Sequence, residues 1–438
     1  MKKHILSPGG ELNGELRVVS DKSITHRALL LAALAQGESE ITHPLLGDDL
    51  QSTIAALRFC GVLINEEEGR LYVHSDGVLH IPDNGVVNCG NSGTLMRIFC
   101  GVAVGANIAY RLIGDDSLMQ RPMRRVAWPL CEMGAKVEVE SSGKPPIVLE
   151  KHQGLRGIRH NLKTASAQVK SALLLAGLRA EGETTVEEPL PSRDHTELML
   201  KSFGVVPKRD GALVSVQGGT PLNATGIKVP ADISSAAFFM VGAAMTPGSD
   251  LTLTNVGINP TRFGAVEIIR RMGADVDVIN VREYGNELVA DIRVCGSELH
   301  GIDIEADLVP SAIDDFPALL IAAAAAIGKT TLSGATELRN KESDRIGAMV
   351  EGLLALGVEC EERKDGIVVR GAGDKKNVFS GGKVQSRGDH RIAMAFSIAA
   401  LRAADEIVVE NCDNVSTSFP GFAAMAREVG LRIAVEED

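Results

Sequence analysis

A chain of 438 residues, 45% apolar and 23% charged, is long enough for two or three domains that each own a core. Its net charge of −12 argues against a generic nucleic-acid binder, and 3% aromatic content leaves few of the platforms on which single strands stack. Seven cysteines with no C-x-x-C pair suit a reducing cytoplasm better than a disulfide scaffold, and the longest apolar run, Ala318 to Ile327, is too short to span a bilayer.

The first ten residues hold no apolar h-region, so no signal peptide is expected, and Met1 to Arg17 carries no pattern that places it. Asp21-Lys22-Ser23-Ile24-Thr25-His26-Arg27 reads as the first turn of a helix that runs on through Ala28 to Leu34 and is unbroken until Gly37. Asp21 and Ser23 are its N-cap candidates. Lys22 and Arg27 cannot lie unpaired in an apolar interior, so they face water or an anion, and a helix N-terminus already favours negative charge.

Six times an amphipathic run ends in a glycine and turns into an alternating strand; the glycines are Gly61, Gly134, Gly204, Gly273, Gly357 and Gly430, spaced 73, 70, 69, 84 and 73 residues apart. Each is a natural residue for the turn after a helix, where a positive φ is needed. Upstream of each lies a second kind of helix, small and apolar after a polar first turn, such as Val169 to Ala176, Ala236 to Ala243 and Ala318 to Ala324. A helix apolar all round is buried on all sides. The expected unit is strand, buried helix, strand, surface helix, glycine, strand, turn, strand. Three such units per globule give two α/β domains with the apolar helices inside and the sheets outside, divided near Thr225-Gly226-Ile227.

The unusual polar residues recur at one point of the unit, where the first strand meets the buried helix. They are Lys22, Ser23 and Arg27; Asn88 to Arg97; Thr164 to Lys170; Pro230 to Ser235; Pro310 to Asp315; and Ser386 to Arg391. Roughly parallel helices would present three positive ends per domain, and two such faces would form a cleft for a polyanion. Capping alone accounts for Ser234 and Ser235, but capping needs no arginine or histidine, so it does not account for Lys22, Arg27, Asp314, His390 or Arg391. More charge sits in Gln120 to Arg125, where Arg124 and Arg125 also fit plain surface charge, in Ser192 to Glu197, and in Leu338 to Arg345, which mixes two acids with three bases. Ile327-Gly328-Lys329-Thr330-Thr331 imitates the end of a phosphate-binding loop, but the glycine required five positions before Gly328 is Ala323; it reads as a helix-to-strand turn.

D-K-S-I-T-H-R at 21–27, G-N-S-G-T-L-M-R at 90–97, R-P-M at 121–123, S-A-Q-V-K at 166–170, S-R-D-H-T-E at 192–197, K-E-S-D-R at 341–345 and D-H-R-I-A-M at 389–394 resemble, in order and spacing, the 5-enolpyruvylshikimate-3-phosphate synthase family. The resemblance spans essentially the whole chain. It implies a two-domain inside-out α/β barrel of six βαβαββ repeats, with domains 18–227 and 228–438 plus 1–17 and a substrate cleft between them. It implies transfer of the enolpyruvyl group of phosphoenolpyruvate to the 5-hydroxyl of shikimate 3-phosphate, without metal or cofactor, by a cytoplasmic monomer that binds neither nucleic acid nor membrane. By similarity, Lys22, Ser23, Arg27, Ser166, Ala167, Gln168, Arg193, Asp314 and Lys341 hold shikimate 3-phosphate. Lys22, Asn91, Gly93, Arg121, Gln168, Arg345, His390 and Arg391 surround phosphoenolpyruvate. The addition–elimination needs a base, assigned to Asp314, and a proton carrier for the methylene carbon; Glu342 and Lys22 both qualify, and the residues leave that choice open. Domain closure should expel water that would hydrolyse the intermediate.

Two departures matter. Val19-Ser20 stands where many members have Pro-Gly, and Thr417 replaces a lysine that one branch carries just before its [Ser/Thr]-Phe-Pro. Gly93, where alanine would crowd the site, implies sensitivity to glyphosate. The related enzyme that transfers enolpyruvyl to UDP-N-acetylglucosamine carries a loop cysteine absent from Gly114 to Gln120 here, and asparagine where this chain has Ser23. A non-catalytic two-domain anion-binding protein would need neither Asp314 nor Glu342.

Overall fold

The computed structural model describes residues 1–80, 85–373 and 375–437. The chain divides into two compact units, one built from Ser20–Val229 with Glu283–Glu287, the other from Met1–Val19, Pro230–Arg282 and the chain from Leu288 onward. Both are mixed α/β.

Six helices form the interior: α1 (Lys22–Leu34), α2 (Gly93–Gly105) and α3 (Ala167–Gly177) in the first unit, and α4 (Ile233–Ala244), α5 (Phe316–Ala325) and α6 (His390–Ala399) in the second. Every residue of α4 and α5 is buried, as their uncharged sequences require. Gly101 lets α2 run against α3, since a Cβ there would collide with the main chain of Ala172. Six further helices, Asp48–Phe59, Arg124–Glu132, His195–Ser202, Gly264–Arg271, Arg345–Ala355 and Phe422–Glu428, each precede one of the six glycines. All six glycines have positive φ, between 78° and 118°.

Among the described residues, the first unit holds three sheets of one plan. In one, Gly85–Asn88 runs parallel to Tyr110–Ile113, which pairs antiparallel with Ile147–Glu150, and Lys136–Glu138 takes the edge. Arg159–Asn161, Glu183–Glu187, Leu213–Gln217 and Lys208–Asp210 repeat that order. In the third, the parallel partner of Ala35–Thr42 comes from the far end of the unit, as Leu222–Asn223 and Ile227–Lys228. The second unit borrows likewise. Lys2–Leu6 inserts between Ile407–Glu410 and Ile433–Glu437, and Asn13–Leu16 lies parallel to Asp250–Gly257. The opening segment, which had no pattern of its own, therefore completes two sheets that the rest of that unit leaves a strand short.

Two local expectations change. The first helix ends at Leu34 rather than Gly37, because Ala35 is already extended and opens the strand Ala35–Thr42; Gly37 serves that strand with φ of 115°. The imitation phosphate loop is strand from Ile327 to Leu332, paired along its length with Gly366–Ala372, and the turn is confined to Ala326.

Candidate active site

In the first unit, Asp21 caps α1, its carboxylate accepting the Ile24 amide at 2.8 Å. That cap leaves Lys22 and Ser23 on the first turn, where both are only half-buried. The anion that Lys22 faces is the carboxylate of Asp49, on the helix Asp48–Phe59. Arg27 is buried, and its three nitrogens all serve the protein. Nε donates to Thr196 Oγ1 at 2.9 Å, Nη2 to Ser171 Oγ at 3.0 Å and Nη1 to the Ser23 carbonyl at 3.0 Å. His26 is fully buried, with Nδ1 at 2.8 Å from Thr53 Oγ1. Burial, reinforced by Lys22 and Arg27, holds its imidazole well below the usual histidine range, so it is neutral.

Ser92 and Ser166 cap α2 and α3. Beside these caps a guanidinium cluster forms. Arg121 Nη2 donates to Asn91 Oδ1 at 2.6 Å, Asn91 donates to Asp115 at 2.6 Å, and Arg97 Nη1 donates to Gln168 Oε1 at 2.7 Å. Gln168 Nε2 donates to Thr94 Oγ1 at 2.9 Å. A Cβ on Gly93 would lie 3.0 Å from Arg97 Nη1 and 3.2 Å from Arg121 Nη1, so glycine leaves the floor between two cations open. Ala167 is the first residue of α3, and Arg193 is half-buried just before His195–Ser202.

In the second unit, Asp314 Oδ1 accepts from Lys341 Nζ at 2.9 Å and from Arg345 Nη1 at 3.3 Å, while Arg391 Nη1 donates to the Asp314 carbonyl at 3.0 Å. Arg345, 2% exposed, also donates Nε to Asp389 at 2.8 Å and Nη2 to Glu342 at 2.6 Å. Asp389 caps α6, whose first residues are His390, buried, and Arg391. Burial alone would raise the Asp389 carboxyl; Arg345 outweighs it and keeps the group below its ordinary range. Burial lowers the Lys341 ammonium, an effect only partly offset by Asp314. Asp314 thus lies between an ammonium made more acidic by burial and a permanent guanidinium. Thr417 turns its hydroxyl to the Asn414 carbonyl at 2.6 Å and supplies no cation.

The six helix ends are not equivalent sockets. At α4 the site is filled from within: Arg262, itself buried, donates to Asp232 at 2.9 Å and to Ser234 at 2.7 Å. There the Asp232 carboxylate is the anion and Arg262 its counter-ion, so the charge at that helix end is balanced within the protein. At α5 the cap position is Asp315, which makes no capping bond. Several working residues carried no separate signal in the sequence. Arg97, Lys170 and Asp389 lay inside motifs without a role of their own, while Asp49 and Glu188 lay outside every motif and are found only through their partners.

Among the described residues no His, Cys, Asp and Glu group of three or more is placed to hold a metal ion, and no helix is long and apolar enough to cross a membrane. Fold and side chains define a class: a mixed α/β protein that gathers arginine and lysine at helix starts to handle small polyanions. Within that class, the model for EPSP synthase (3-phosphoshikimate 1-carboxyvinyltransferase) matches residues 6–425, and the chain belongs to this family. A 3-phosphoshikimate 1-carboxyvinyltransferase from Methylococcus capsulatus is 53% identical over 430 residues, 98% of this chain and 97% of that protein. One of the same name from Halorhodospira halophila is 53% identical over 433 residues, again 98% and 97%. An EPSP synthase structure from Acinetobacter baumannii covers 100% of both chains at 46% identity and a TM-score of 0.89.

Proposed function

We propose that this chain transfers the enolpyruvyl group of phosphoenolpyruvate to the 5-hydroxyl of shikimate 3-phosphate and releases phosphate, a step of chorismate and aromatic amino-acid biosynthesis. Family membership over residues 6–425 supports the reaction. The observation that carries the chemistry is Asp314, held at 2.9 Å from Lys341 and 3.3 Å from Arg345. In this reading Asp314 takes the proton as the 5-hydroxyl oxygen attacks C2 of phosphoenolpyruvate, and C3 gains a proton to give a tetrahedral adduct. Loss of a C3 proton then re-forms the double bond as the C2–O bond breaks and phosphate leaves with the electron pair. Glu342 and Lys22 are the two carriers for the C3 proton. Glu342 is paired with Arg345, and Lys22 with Asp49.

Shikimate 3-phosphate is assigned to Lys22, Ser23, Arg27, Ser166, Ala167, Gln168, Arg193, Asp314 and Lys341. Phosphoenolpyruvate is assigned to Lys22, Asn91, Gly93, Arg121, Gln168, Arg345, His390 and Arg391. Arg27 Nη1 donates to the Ser23 carbonyl, so in this scheme Arg27 also holds Ser23 in place. The matching architecture is the inside-out α/β barrel in two domains, 18–227 and 228–438 plus 1–17, working as a cytoplasmic monomer without metal or cofactor.

The test is phosphate release from phosphoenolpyruvate with each of two acceptors. Release with shikimate 3-phosphate and none with UDP-N-acetylglucosamine is expected; the reverse pattern assigns the chain to the other transferase, and binding without release makes it an anion-binding protein.

A further inference from the structure

Outside the assigned residues, one buried carboxylate touches two of the segments that carry them. Glu188 is 4% exposed and follows the strand Glu183–Glu187. Its Oε1 accepts the Ser166 amide at 3.0 Å and the Ser192 hydroxyl at 2.6 Å. Its Oε2 accepts the same hydroxyl at 2.8 Å, the Ser192 amide at 3.3 Å and Lys170 Nζ at 2.8 Å. Ser166 caps α3 and opens the run through Ala167 and Gln168, while Ser192 precedes Arg193. Lys170 completes the knot by donating to the Ser192 carbonyl at 3.3 Å and pairing with Glu197 at 2.8 Å. Burial would lower the Lys170 ammonium, but Glu197 and Glu188 outweigh it and hold it above its ordinary value, so the lysine stays charged.

We propose that Glu188 is a positioning residue for shikimate 3-phosphate, locking the start of α3 and the Ser192–Arg193 loop into one register. The inference rests on the function proposed above. A carboxylate suits this place because only donors meet it: two amides, a hydroxyl and an ammonium. A glutamine of equal size would turn an NH2 group toward one of those donors and leave it without an acceptor. The two segments would then be joined by fewer bonds, and Arg193 and Ser166 would lose their fixed separation. Ser192 is the partner through which the loop is held, and its hydroxyl reaches both oxygens of Glu188.

The experiment is steady-state kinetics on the full chain with Glu188→Gln and, because that variant can fail to fold, with Ser192→Ala, which removes one hydroxyl from a half-buried loop. For Glu188→Gln the KM for shikimate 3-phosphate should rise about tenfold or more, the size of one lost bond to a charged acceptor, with the KM for phosphoenolpyruvate within about twofold. Ser192→Ala should give the same split at roughly three- to tenfold. An unchanged KM for shikimate 3-phosphate in Ser192→Ala and in any folded Glu188→Gln enzyme overturns the proposal, as does an equal rise in both KM values. If the unaltered chain releases no phosphate from the two substrates, the functional reading itself fails; if it turns over and the variants match it, only the role of Glu188 fails.

Discussion

At the scale of single residues, Asp314 and Gly93 make the sharpest statements. Asp314→Ala removes the group assigned as base and leaves Lys341 and Arg345 without that partner, so kcat should fall by about 10²- to 10⁴-fold. Phosphoenolpyruvate binding, measured by calorimetry, should survive; turnover near the wild-type rate would remove Asp314 as base. Gly93 matters through what it lacks. The unaltered enzyme should be inhibited by glyphosate, and Gly93→Ala, with its methyl 3.0 Å from Arg97 and 3.2 Å from Arg121, should raise the KM for phosphoenolpyruvate and weaken that inhibition. Full wild-type activity with glyphosate far above phosphoenolpyruvate would contradict this. The chemical types at the site were legible in the residues, because arginine and histidine exceed what capping needs. Their pairings were not: Asp49 faces Lys22 from 27 positions along the chain, and no local pattern marks it.

At the scale of elements, the helix starts divide by what fills them. Asp21 closes the first turn of α1 with a side-chain bond, and Asp21→Ala should cost about 0.5–2 kcal/mol in urea unfolding followed by circular dichroism. At α4 the bond is ionic and buried on both sides. Arg262→Met takes the buried cation from the Asp232 carboxylate, which keeps its bond to the Ser234 amide, and a loss of roughly 3–5 kcal/mol is expected in the same measurement. Costs of equal size would mean that Arg262 is solvated and that the α4 end is no different from the others. The surface helices were readable to within a few residues because a glycine with positive φ stops each one. The end of α1 was misplaced because Leu34 passes directly into strand with no glycine at the junction.

At the scale of the whole molecule, buried histidines make stability depend on pH, among them His26 and His4. His26 lies in the first unit with its imidazole held well below 6.5, chiefly by burial; His4 lies in the second, pushed down to about 4 for the same reason. Each is neutral when folded and protonates near 6.5 when unfolded, so below 6.5 the unfolded chain binds more protons. Stability is therefore fully present above about pH 6.5 and falls as pH drops toward 4, by about 1.4 kcal/mol per pH unit for each histidine. Urea midpoints measured from pH 7.5 to 4.5 should decline, and His4→Gln should flatten part of the slope; a level profile would mean these imidazoles reach water.

The sequence by itself determined the periodic elements, the six glycine stops, the apolar helices and the residue types that meet anions, since each follows from local geometry and burial preference. Only the tertiary structure decided which chain segments complete which sheets. Lys2–Leu6 and Asn13–Leu16 join strands some 240 to 430 residues away, and strand pairing over such distances leaves no periodic trace in the sequence. The same holds for charge. Lys170 and Arg262 are bases in the sequence like any other, and burial beside Glu188, Glu197 and Asp232 makes them internal counter-ions, because an uncompensated charge in that interior would cost more than the fold can sustain.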